Sequence, residues 1–261
     1  MLLRSVMKHV GEQNWAAVAI DFVIVVVGVF IGIQVANLNE ARIENQQSAH
    51  FTERLIADLR LEAWSLVFSR EYYSDVLASA DRAVSALEGS LTLSDEDLLI
   101  NAYRATQYKS PPAARQTYNE LISIGAINLI RDESLRNLAI SLYDLTEFEE
   151  KRTDEERDAP YRQLFRMIMP IKIQHTLLRN CGDKPFVRQD YASIVNMLDY
   201  TCSTNLGEQE IASAANTLRT HPDVLPYLRL RMADVETRLT DTDPTGDPWL
   251  AQLREIAPEM P

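Results

Sequence analysis

Residues 15–36 read WAAVAIDFVIVVVGVFIGIQVA, with Asp21 the one charged residue and Gln34 the one other polar side chain. A helix rises 1.5 Å per residue, so about 20 apolar residues cross the ~30 Å of bilayer hydrocarbon. A buried core helix seldom runs this long and is rarely apolar on every face. A cleavable signal peptide would carry an apolar region of ~7–15 residues closed by small side chains. Here Gln34 and Ala36 stand where those small residues belong. The stretch therefore predicts an uncleaved, single-pass transmembrane helix over residues 15–37.

The charges around it suggest an orientation. Arg4 and Lys8 precede the apolar stretch, and only Arg42 follows within the next turns. The positive-inside rule then places residues 1–14 in the cytoplasm and residues 38–261 on the far, periplasmic side. Leu2, Leu3, Val6, Met7 and Val10 follow a helical period with Arg4, Ser5, Lys8 and His9 between them. That pattern predicts a short amphipathic tail helix lying on an anionic inner leaflet. Residues 1–39 balance Arg4 and Lys8 against Glu12 and Asp21, so the whole net charge of −12 falls in residues 40–261. Such an acidic domain is a poor partner for nucleic acid, whose phosphates require clustered Lys and Arg.

The large domain reads as all-α. Glycine is scarce, 8 in 261, which disfavours turn-dense sandwiches and barrels. No Pro or Gly occurs from Glu40 to Glu88, where Leu59, Ala63, Leu66, Tyr73, Leu77, Ala80, Val84 and Leu87 form a seam of period near 3.5. This predicts a long first helix, continuous with the membrane segment or close to it, stopped by Gly89. Ser94 caps a second helix ending before Ser110-Pro111-Pro112. A third covers residues 113–123. A fourth, capped by Asp132, buries Leu135, Leu138, Ala139, Leu142 and Leu145. The charged run EFEEKRTDEERD (147–158) reads as its solvated extension. Further helices are expected up to Pro170, at 191–200, at 207–219, from Pro222 to near Leu239, and at 249–256. Cys181 and Cys202 permit one disulfide in a translocated domain, the alternative being two unrelated buried thiols.

Chemical signatures are missing. The sequence has no GxGxxG, P-loop, GxSxG or HExxH motif, and its four histidines, His9, His50, His175 and His221, are dispersed. No catalytic residue, cofactor or metal is therefore expected. The most informative constellation lies in the membrane segment, where Asp21, Gly28, Gly32 and Asn39 fall on one line of a helix. Two glycines four apart let another backbone approach closely, and an intramembrane carboxylate gains by finding a partner there.

DFVIVVVGVFIGIQVANLNEAR (21–42) and, more loosely, TYNELISIGAINLIRDESLRNLAISLYDL (117–145) resemble a family of uncharacterised bacterial single-pass membrane proteins known only as a domain of unknown function. The resemblance implies an inner-membrane anchor with a helical extracytoplasmic domain, and no activity or catalytic residue comes with it. Taken together, the sequence leads us to expect a membrane-anchored structural or accessory subunit, held in the lipid bilayer and contacting other membrane subunits or itself. A helical ligand sensor working through a partner is the alternative, and a hydrolase with a carboxylate site a third.

Overall fold

The computed structural model describes residues 15–110, 113–243 and 248–261; the tail helix expected over residues 1–14 lies outside them. The described residues form helices and turns, with no strand among them. In chain order the helices are α1 (Trp15–Leu87), α2 (Asp95–Arg104), α3 (Gln116–Ser123), α4 (Glu133–Glu156), α5 (Pro160–Ile168), α6 (Ile171–Cys181), α7 (Glu208–Thr220), α8 (Val224–Asp241) and α9 (Pro248–Ile256). The chain divides into two compact units, Met1–Thr52 and Glu53–Pro261, and the division falls inside α1.

In the first unit, α1 is long and apolar enough to cross a membrane. Its large apolar side chains from Ile20 to Val35 are 47–68% exposed.

In the second unit, α1 is buried on every side along its Glu62–Ser69 stretch, so neighbours surround this part of the helix. The expected seam is present, and a second face, Trp64, Phe68, Tyr72, Val76 and Ala83, is buried as completely. Trp64, Phe68 and Tyr72 pack with Ile194, Met197 and Leu198. Farther along, Ala80, Ala83 and Val84 join a core built from α2, α5, α6, α7 and the start of α8. Gly89 ends the helix in the left-handed region, φ +82°, where a side chain would be strained.

Acids on α1, Asp58 half-buried and Glu62 and Asp75 buried, hold the loops that pack against it. Asp58 accepts from the Thr117 amide at 2.9 Å, which caps α3 where Arg115 offers no side-chain cap. Glu62 accepts from the Ala114 amide. Asp75 accepts from Leu198 at 2.8 Å and Asp199 at 3.2 Å. These bonds satisfy loop amides that would otherwise be buried without partners. The caps on α2 and α4 are those expected, Ser94 accepting from Asp97 and Asp132 from Leu135.

Two expectations are corrected. No helix forms over residues 191–200; a single 3-10 turn, Ala192–Ile194, is followed by Asn196 at φ 52°. Ile194, Met197 and Leu198 pack onto α1 from this irregular segment. Helix α6 was not anticipated, because the sequence reading ended its helix at Pro170. Pro170 instead stands at the N-cap of a new helix, a position that needs no amide donor.

Candidate functional site

The four residues singled out around the apolar stretch stand on α1. Asp21, Gly28, Gly32 and Asn39 are exposed, and at 100° per residue they share one line. A Cβ added at Gly28 or Gly32 would meet nothing within 4 Å. The face is open, with room for a second backbone.

Cys181 and Cys202 form a disulfide, Cα to Cα 5.5 Å. It joins the end of α6 to the stretch before α7 and closes the irregular segment that packs on α1. A loop of this size stabilises by roughly 3 kcal/mol in the chain-entropy model. Gly182 follows at once, where a Cβ would lie 2.4 Å from the Leu178 carbonyl oxygen, so only glycine fits. Arg104, 3% exposed, donates to the carbonyls of Cys181 at 3.3 Å and Tyr200 at 2.9 Å. Its guanidinium also lies over the Tyr200 ring. Burial lowers the Arg104 guanidinium from its ordinary value, and Tyr200 opposes this.

The charged run 147–158 is not uniformly solvated. Glu149 and Glu156 are 5% and 9% exposed, against Arg238 at 1% and Arg231 at 3%. Arg238 meets Glu149 at 2.7 Å and Glu156 at 2.9 Å, and Arg231 meets Glu156 at 3.2 Å. Arg238 also donates to Thr153 at 2.7 Å and lies 3.7 Å above the Tyr73 ring. Burial pushes the Glu149 carboxyl up despite Arg238. Burial also acts to lower Arg238, but Tyr73, Glu156 and Glu149 together outweigh it and hold the guanidinium above its ordinary value. The cluster locks α4 to α8, and its charges are spent on one another.

Glu62 and Glu149 line a cavity of about 20 Å³, room for one water and no substrate. Burial raises the Glu62 carboxyl above its ordinary 4.5; the Ala114 amide and Arg115 oppose this. A raised carboxyl contributes stability that is full below the ordinary value and lost as pH rises through the folded one. Glu62→Gln, which keeps the acceptor for Ala114, should therefore raise the urea midpoint at neutral pH. The gain should shrink as the pH falls toward 4.5. A gain independent of pH would show that the charge is not its cause.

Two larger clefts are polar. One, of about 350 Å³, lies against the ion cluster and is lined by Arg152, Glu155, Asp158, Arg231 and Asp234. The other, of about 390 Å³, holds Arg82, Asp97, Arg104, Asp199 and Cys202. In the second, Arg82 is neutralised by Asp199 at 2.8 Å. No group of three His, Cys, Asp or Glu side chains that could hold a metal ion occurs among the described residues.

Comparison of the chain with protein-family models, curated proteins and solved structures gave no match.

Proposed function

We propose that the chain is a structural or accessory subunit anchored in the bacterial inner membrane, acting through helix–helix and protein–protein contacts in a larger assembly or with copies of itself. Residues 15–37 would cross the bilayer, with residues 1–14 cytoplasmic and 38–261 periplasmic. The observation that carries this reading is the apolar sheath of α1, with twelve large exposed side chains from Ile20 to Val35. Water would not tolerate so large a contiguous apolar surface. The disulfide fits an oxidising compartment.

Apolar area gives no net attraction between helices in lipid, so close packing and polar contacts must supply it. The Asp21–Gly28–Gly32–Asn39 line offers both. Gly28→Ile or Gly32→Ile should hold the backbones apart. Asp21→Leu should improve insertion yet weaken association by roughly 0.6–2 kcal/mol. Crosslinking and co-purification from mild detergent would measure both effects. Unchanged partners in unchanged yield for all three variants would remove this face as an interface.

The sensor reading keeps a place because one cleft, described next, collects cationic side chains without a carboxylate.

A further inference from the structure

Helices α5 and α6 and the end of α2 enclose a cavity of about 220 Å³. Its polar wall carries Arg162, Arg166, His175 and Gln174; its apolar wall carries Tyr103 and Phe165. Among the described residues no Asp or Glu lines it, although the chain as a whole carries 38 acidic residues against 26 basic ones. The two polar clefts described above are different, since carboxylates line both.

The two arginines lie one helical turn apart on α5. Arg162 donates to the Thr106 carbonyl at 2.9 Å and stacks over the Tyr108 ring. Its Nε is buried and has no hydrogen-bond partner. Burial lowers the Arg162 guanidinium, and Arg166 lowers it further. Arg166 is exposed and takes part in no side-chain hydrogen bond or ion pair among the described residues. Gln174 donates to the Met169 and Arg166 carbonyls, which sets the α6 wall of the cavity against the end of α5. Asp183, whose charge acts on Tyr103, is already engaged by Lys109 at 2.6 Å and Tyr72 at 2.9 Å. Two like charges one turn apart repel, and a guanidinium is the side chain best shaped to take an oxyanion in a planar fork. Ile171 and Leu178, which also line the cavity, are 64% and 61% exposed and offer the apolar surface beside the charged one; Tyr103 and Phe165, 6% and 1% exposed, back it from the core.

We propose that this cavity is a binding site for a small organic carboxylate, its head held by Arg162 and Arg166 and its apolar body laid against Ile171 and Leu178. The volume is below the ~300–1,000 Å³ of sites for drug-sized ligands, which suits a compact acid. The proposal goes beyond the assembly reading and does not depend on it.

The test uses the full chain in detergent and benzoate as the probe, with benzamide as its uncharged counterpart. Calorimetric titration should give saturable benzoate binding and none for benzamide. Arg166→Gln should weaken benzoate about tenfold, the loss expected for a charge-assisted contact. Arg166 is exposed and holds no structural hydrogen bond, so the unliganded variant should unfold at the wild-type temperature. Arg162→Lys keeps the charge and removes the fork, and should weaken benzoate as well. Equal binding of benzoate and benzamide, no benzoate binding, or wild-type affinity in both variants would overturn the proposal. None of those results bears on whether the α1 face associates in the membrane.

Discussion

Arg238→Ala should destabilise the second unit by about 3–5 kcal/mol, the loss expected when one partner of a buried ion pair is removed. Arg238 is 1% exposed and faces Glu149 and Glu156, both themselves buried. Without it, Glu156 keeps Arg231 at 3.2 Å, and Glu149 is left with Arg152 at 3.6 Å. Urea unfolding followed by circular dichroism should show a lower midpoint with an unchanged slope. A second variant separates charge from volume. Arg238→Met with Glu149→Met replaces the pair by apolar side chains of similar size, which is often close to neutral. The double variant should regain most of what the single one loses. A loss of under about 1 kcal/mol for Arg238→Ala, typical of exposed pairs, would mean that water reaches the cluster.

The same cluster marks where sequence reasoning misled. On α8 the buried positions are Val224, Leu228, Arg231, Val235 and Arg238, spaced four, three, four and three. On α4, Leu142 and Tyr143 are followed by Glu149, Thr153 and Glu156 among the buried residues, and Leu142, Glu149, Thr153 and Glu156 keep the same phase. The period was visible in both helices. Residue type obscured it, because EFEEKRTDEERD reads as solvated when its composition is weighed and its phase is not. Seven-residue spacing of two acids on one helix and two arginines on another is the signal that would have paired them. Composition and punctuation, by contrast, carried the all-helical class, the Ser94 and Asp132 caps and the stop at Gly89. The irregular segment 182–207 was opaque for a physical reason. Its conformation rests on distant groups, Asp75 on α1 and Glu96 on α2, which no local pattern encodes. The cationic cavity was equally hidden, since Arg162 and Arg166 meet His175 and Tyr103 only once α5, α6 and α2 have packed.

The account rests on residues 15–37 lying in a bilayer. Alkaline carbonate extraction of membranes from cells making the full chain is the most direct test, with a Val25→Asp/Val29→Asp variant beside it. Each added carboxylate near the bilayer centre costs about 2.5–3.5 kcal/mol, so the pair should prevent stable insertion. The wild type should stay in the membrane pellet and the variant should appear in the supernatant or be degraded. Release of the wild-type chain by carbonate, or equal retention of both chains, would contradict the anchor and the assembly role proposed from it.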